Sequence, residues 1–221
     1  MKKFLSYILS VFMLVTFVGQ AFGGWQTDVS AATKKSLPKA PSIIGESAIL
    51  IEPTTGTIIY EKDPHKKMYP ASITKIMTAL LAIENCKMND TVVYSKKNLD
   101  SLTAEDSNIQ CQVGEKMSVK DCLYALMLSS ANETATALAE HIAGSSEAFA
   151  KLMNERAKQA GATDTHFANP NGLHDDNHYV TAYDMAMIMK AAIQYPVFLD
   201  VIHTTEYTIP ANNKRTEPFQ S

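Results

Sequence analysis

Two serines and a lysine carry the clearest chemistry in this 221-residue chain. Ser72-Ile73-Thr74-Lys75 is an S-x-x-K. A serine hydroxyl is a poor nucleophile until a base takes its proton, and a partly desolvated lysine amine can be that base. The i, i+3 spacing sets Ser72 and Lys75 on one face of a helix, one turn apart. A hydroxyl near a helix N-terminus also sits where the macrodipole favours developing negative charge. The spacing alone is unspecific: Ser36-Leu37-Pro38-Lys39 shares it, in a Pro-interrupted polar stretch unsuited to a helical turn. The alternative for Ser72 is an N-cap serine beside a solvated lysine. Ser130-Ala131-Asn132 is the second candidate. Between two helices, its serine can relay a proton and its asparagine can hold a substrate amide. The alternative there is a helix break in which Ser130 or Asn132 caps the next helix.

The elements that must position these groups follow from local patterns. Ser47–Glu61 reads as a β-hairpin, with Ala48-Ile49-Leu50-Ile51 and Thr57-Ile58-Ile59-Tyr60 flanking the turn Pro53-Thr54-Thr55-Gly56. Ile73, Ile76, Met77, Leu80 and Leu81 predict a helix over Ser72–Glu84. Residues 85–117 read as irregular, with a turn at Val113-Gly114-Glu115. Ser118-Val119-Lys120-Asp121 matches a capping box and opens a helix to Leu128. Further helices are expected from Glu133 to Ala143, with Gly144 as C-cap, and over Glu147–Ala160, ended by Gly161. Residues 162–180 read as loop. Thr181-Ala182-Tyr183-Asp184 is a second capping box, opening a helix to Gln194, and Pro196 restarts the chain. A hairpin of two strands is marginal by itself. It must pack on the helices or belong to a sheet that other strands complete.

Composition excludes some classes. At 46% hydrophobic and 19% charged residues the chain is not of the disordered type. A formal net charge of −3 argues against nucleic acid as the main partner. Lys2 and Lys3 precede an apolar run from Phe4 to Val18, and Val29-Ser30-Ala31 and Ala21-Phe22-Gly23 are candidate cleavage sites. Residues 1–31 therefore read as a secretory signal and 32–46 as a polar lead-in. The run is short of the about 20 apolar residues a membrane span needs. The expected product is exported, and soluble or peripherally held at the cell wall or the outer face of the membrane. Cys86, Cys111 and Cys122 show no C-x-x-C or Cys/His spacing that suggests a metal. They read as buried apolar thiols, with a Cys111–Cys122 bridge as the alternative.

Taken together, the motifs resemble a known family. Pro70-Ala71-Ser72-Ile73-Thr74-Lys75-Ile76-Met77-Thr78-Ala79-Leu80 is similar to the first motif of the low-molecular-mass penicillin-binding proteins, the serine-type D-alanyl-D-alanine carboxypeptidases. Ser130-Ala131-Asn132 falls where that family has S-x-N. The full signature, shared with class A β-lactamases, is S-x-x-K, S-D-N and K-T-G. Phe167-Ala168-Asn169-Pro170-Asn171-Gly172-Leu173, His178-Tyr179-Val180-Thr181-Ala182-Tyr183-Asp184-Met185-Ala186 and the hairpin turn with Thr55-Gly56 also look like family stretches, outside the active site.

The resemblance implies an α/β fold of the β-lactamase/transpeptidase type, incomplete within residues 47–221. It implies that Ser72 attacks the terminal D-Ala-D-Ala carbonyl of peptidoglycan stem peptides and that Lys75 takes its proton. Ser130 would relay a proton to the leaving D-alanine, and Asn132 would orient the substrate amide. β-Lactams would acylate the same serine. No metal or organic cofactor is implied, and membrane contact would come only through the family's C-terminal anchor. K-T-G is not found: Thr54-Thr55-Gly56 lies in the hairpin, and His203-Thr204-Thr205 lacks the glycine. The expectation is a fragment or interrupted reading frame that is poorly stable and weakly active or inactive. A class A β-lactamase is disfavoured by Ala131, where that class has aspartate, and by the lack of an E-x-x-x-N loop, for which Asp175 and Asp176 substitute poorly. A non-catalytic cell-wall binding protein fits the missing K-T-G but not the presence of Ser72, Lys75, Ser130 and Asn132.

Overall fold

A computed structural model describes residues 40–100, 102–103 and 106–221. The expected export segment 1–31, most of the 32–46 lead-in and the Ser36–Lys39 repeat of the S-x-x-K spacing lie outside the described residues.

The helix expected over Ser72–Glu84 forms in two pieces. Ala71–Thr74 makes a 3-10 turn, and α1 (Lys75–Asn85) continues from it. Met77, Ala79, Leu80, Leu81 and Ala82 are buried, whereas Ile73, expected on the same apolar stripe, is 49% exposed. The tighter 3-10 turn rotates Ile73 away from the stripe that the 3.6-residue period assigned it. The remaining helices are α2 (Lys96–Asp100), α3 (Val119–Leu128), α4 (Asn132–Ala143), α5 (Ser146–Gln159), α6 (Ala182–Ala192) and α7 (Pro196–His203). The buried α1 is the hub: α3, α4, α5, α6 and α7 all pack against it.

Helix boundaries follow their capping residues. Ser118 accepts a hydrogen bond from Asp121 N at 3.0 Å, and Thr181 accepts one from Asp184 N at 3.0 Å. Each satisfies a backbone donor that the first helical turn leaves unpaired. Gly144 ends α4 at φ +79°, a left-handed conformation that costs a residue with a Cβ about 1 kcal/mol or more. Pro196 starts α7, where its missing N–H costs nothing.

The sheets are small. β1 (Ala48–Ile51) and β2 (Ile58–Lys62) pair antiparallel from Ala48↔Lys62 to Ile51↔Ile58, with an irregularity at Leu50/Ile51. β1 rests on α6. Leu50, Ile58 and Ile59 stay 43–63% exposed. Two stretches differ from expectation. Residues 85–117 are largely irregular but hold short elements: β3 (Thr91–Val93) pairs with β4 (Lys116–Ser118), and α2 lies between them in sequence. Elements of three and five residues are too short to show a period. The chain beyond Pro196 is also ordered. β5 (Thr208–Ile209) pairs with β6 (Phe219–Gln220), Tyr207 stacks on Tyr124 with ring centroids 3.7 Å apart, and its hydroxyl donates to Asp121. The polar run 211–221 is pinned by Arg215, which donates to the buried Glu115 carboxylate and to the Ile109 carbonyl.

The three cysteines are free; Cys122 is buried, and Cys86 and Cys111 are half-buried. The expected buried-thiol state therefore applies in full only to Cys122.

Candidate active site

The 3-10 turn presents Ser72 to solvent and starts α1 with Lys75, which is only 2% exposed. Lys75 Nζ lies 3.1 Å from Ser72 Oγ, as the i, i+3 spacing predicts. Its second partner is the backbone carbonyl of Asn171, 2.9 Å away. Burial pushes the Lys75 amine down to about 8, and the negative charges of Glu133 and Asp106 offset only part of that. About a tenth of such an amine is neutral at pH 7, enough for a general base.

The loop between α3 and α4 approaches from the other side. Ser130 Oγ donates to Ser72 Oγ at 3.1 Å. Ser130 itself sits at φ +54°, in the left-handed region. Neither Ser130 nor Asn132 caps the next helix: Ala131 is the N-cap residue of α4, without a side-chain bond. Freed from capping, Ser130 points at Ser72. Asn132, the first residue of α4, is 4% exposed, and its Oδ1 is buried without a partner. An unpaired buried amide oxygen is costly, so this carboxamide is held by the fold rather than by its own hydrogen bonds. Its backbone N–H donates to Ser107 O at 2.9 Å, which ties the 106–109 segment to the site. Glu133, next along α4, accepts from Ile109 N at 2.6 Å and leaves its other oxygen unpaired; burial raises its carboxyl above the ordinary range.

The stretches 167–173 and 178–186, expected outside the active site, in fact build its floor. Besides the Asn171 carbonyl on Lys75, Pro170 O accepts from Thr78 Oγ1 at 2.6 Å. His178 contacts Thr74 through Nε2 at 2.9 Å, while its Nδ1 accepts from Ala168 N. The second bond fixes the tautomer, so Nε2 carries the proton and donates to Thr74. Burial lowers the His178 imidazole to about 4 and keeps it neutral. Gly172 lies so close to Ala71 that a Cβ would overlap the Ala71 carbonyl, and its φ is +87°. Ala71 itself adopts φ +49° immediately before Ser72. The Ser72 turn is thus bent into a strained shape against a loop that only glycine lets approach.

Sequence reasoning found Ser72, Lys75, Ser130 and Asn132, and the structure brings the first three into one hydrogen-bonded chain with Asn132 at its edge. It missed Asn171, Gly172, Thr74, His178 and Glu133. The Asn171 contribution is a backbone carbonyl and has no side-chain signature. Gly172 in an Asn-Pro-Asn-Gly run was readable as a left-handed turn position, but not as a contact to Ala71. Asp175 and Asp176 are exposed and bond within their own loop or to His174.

Comparison with known proteins identifies the family. A family model described as D-alanyl-D-alanine carboxypeptidase matches residues 33–220. The D-alanyl-D-alanine carboxypeptidase DacF of Bacillus subtilis (strain 168) is 39% identical over 203 residues, covering 88% of this chain and 49% of that protein. A D-alanyl-D-alanine endopeptidase of Escherichia coli (strain K12) is 32% identical over 219 residues, covering 94% of this chain and 67% of the relative. Among solved structures, a D-alanyl-D-alanine carboxypeptidase from Mycobacterium tuberculosis H37Rv superposes with a TM-score of 0.76 at 27% identity, over 85% of this chain and 69% of that one. The carboxypeptidase DacD from Francisella tularensis gives 0.74 at 28% identity, over 88% and 48%. The chain thus spans about half the length of some relatives it matches, and its mixed α/β architecture is part of a β-lactamase/transpeptidase-type domain. By sequence and by fold, it belongs to the D-alanyl-D-alanine carboxypeptidase family.

Proposed function

We propose that Ser72 is the acylating nucleophile of a hydrolase acting on the terminal D-Ala-D-Ala bond of peptidoglycan stem peptides, and that β-lactams acylate the same oxygen. One observation carries this reading: Ser72 Oγ is bonded at once to a buried, weakly basic Lys75 and to the Ser130 hydroxyl. Neutral Lys75 accepts the Ser72 proton as Oγ forms its bond to the carbonyl carbon. The Asn171 carbonyl holds the amine in place throughout. As the C–N bond to the terminal D-alanine breaks, its nitrogen receives a proton by way of Ser130. Water then hydrolyses the ester and restores Ser72. Asn132, two residues past Ser130, would orient the substrate amide once a small shift exposes its Oδ1, which has no partner within the chain.

The basic, apolar N-terminal run supports export to the compartment where peptidoglycan lies. Residues 1–221 contain no K-T-G.

The test is covalent labelling of the purified chain with a fluorescent penicillin, read by intact mass. A one-to-one adduct that Ser72→Ala abolishes is the expected result. A chain that is folded by circular dichroism yet takes no adduct, or an adduct that survives Ser72→Ala, overturns the assignment.

A further inference from the structure

The helices α1 and α4 both start at the catalytic cleft, one with Lys75 and the other with Asn132. Their far ends also meet. Cys86 is the residue that closes α1, and His141 lies in the last turn of α4. Asp90 stands beside them, and one ligand atom from each of the three lies within 4.8 Å of the other two. We propose that Cys86, Asp90 and His141 form a binding site for a divalent transition metal of the zinc type, with solvent as the fourth ligand.

The donor set fits. A thiolate, a carboxylate and a neutral imidazole suit borderline-soft Zn²⁺, and the two anionic ligands balance its charge. With metal–ligand bonds of about 2.0–2.3 Å in a tetrahedron, neighbouring donors stand about 3.3–3.7 Å apart. Closing from within 4.8 Å takes about 1 Å, which side-chain rotation supplies. The framework is firm. Residues 86–90 form a tight turn in which Cys86 N donates to Ala82 O and Asp90 N to Lys87 O. The turn is pinned to the start of α3 by Val119 N on Asp90 O and Lys120 N on Met88 O. One Asp90 carboxylate oxygen accepts from Lys87 N at 2.8 Å, which orients the group and leaves the other oxygen to a metal. Cys86 and Asp90 are half-buried and His141 is exposed, so the cluster opens to solvent on one side, as an entry path and a water ligand require. Binding releases the Cys86 thiol proton to solvent as the metal–sulfur bond forms.

The metal would staple together the ends of α1 and α4 opposite the catalytic groups, at about 1.5 Å per residue some 16 Å from Lys75. Along the sequence the three ligands show no metal-type spacing; only the packing of α4 on α1 assembles them.

The test is a titration of the purified, reduced chain with Co²⁺, followed by displacement with Zn²⁺. One equivalent of Co²⁺ is expected to give a near-ultraviolet thiolate-to-cobalt absorption band. The band should vanish in Cys86→Ser, persist in Cys111→Ser, and fade as Zn²⁺ displaces the cobalt and raises the unfolding temperature. Even a partner one step removed from a metal is worth about 10–100-fold in affinity, so the exposed His141→Ala should weaken binding at least tenfold. No band in the folded chain, a band that survives Cys86→Ser, or one lost with Cys111→Ser would overturn the proposal.

Discussion

Thr74, Lys75 and Thr78 all reach from one turn of chain to the 168–178 loop, and Ser130 closes on Ser72 from the opposite side. The nucleophile turn is therefore held from two directions. The β1–β2 hairpin is held from one. Its first strand lies on α6, while Leu50, Ile58 and Ile59 face solvent. A groove of about 520 Å³ opens between β1, α6 and Ile73. The contrast separates two kinds of support. The Ser72–Lys75–Ser130 cluster is set by a helical block and one loop, whereas the hairpin beside it is a two-stranded sheet resting on one helix. Native sheets seldom leave an edge with such apolar exposure unpaired.

The largest effect should come from the base. Lys75→Arg keeps the charge but cannot give up its proton at neutral pH, so penicillin acylation should slow by roughly 10²–10⁴. In the unsubstituted chain the acylation rate should rise with pH as the amine deprotonates, with a midpoint at about 8. A rate independent of pH from about 7 to about 9, roughly one unit either side of that midpoint, would remove Lys75 from the base role. Next comes the loop contact. Gly172→Ala forces a Cβ into the Ala71 carbonyl at a left-handed φ and should cost more than about 3 kcal/mol in denaturant unfolding. Gly144→Ala shares the left-handed φ but has nothing within 4 Å, and should cost only about 1 kcal/mol. Equal losses for the two would mean that the 167–173 loop does not brace the nucleophile turn.

A pH series gives a third measure. The folded chain keeps His178 neutral down to about 4, whereas an unfolded histidine takes its proton near 6.5. Between those values the unfolded state binds more protons, so stability falls as pH drops across the window. The full span is worth about 3 kcal/mol. His178→Gln should flatten the dependence there, read as unfolding midpoint against pH. The smallest effect belongs to the hairpin. Ile59→Thr replaces an exposed apolar side chain on a strand, so stability should stay within about 0.5 kcal/mol. Light scattering should instead show less self-association. A loss as large as that of a core residue would mean that the hairpin face is buried in solution.

Much of this fold was legible because its punctuation is local. Ser118, Thr181 and Gly144 mark helix ends through bonds to residues at most four positions away, and Pro196 marks one by lacking an N–H. Ser72 and Lys75 were legible for the same reason, being one turn apart. What the chain hid is what it makes at long range. The bond from Lys75 to Asn171 O spans 96 residues, and that from Thr74 to His178 spans 104. β3 and β4 have three residues each and gain their identity only from one another. The family likeness singled out 167–173 and 178–186 but set them outside the active site, and only packing put Asn171 on Lys75 and His178 on Thr74.

One contact has a practical side. Ser221 bonds through its hydroxyl to Ser129 at 2.6 Å, and its backbone pairs in both directions with Tyr207. Residue 221 therefore rests beside the residue that precedes Ser130. A bulky group attached to its side chain would crowd the cleft mouth and distort inhibitor titrations. A small fluorophore at the same point would sense a drug arriving at Ser72, turning residue 221 into a reporter for screening.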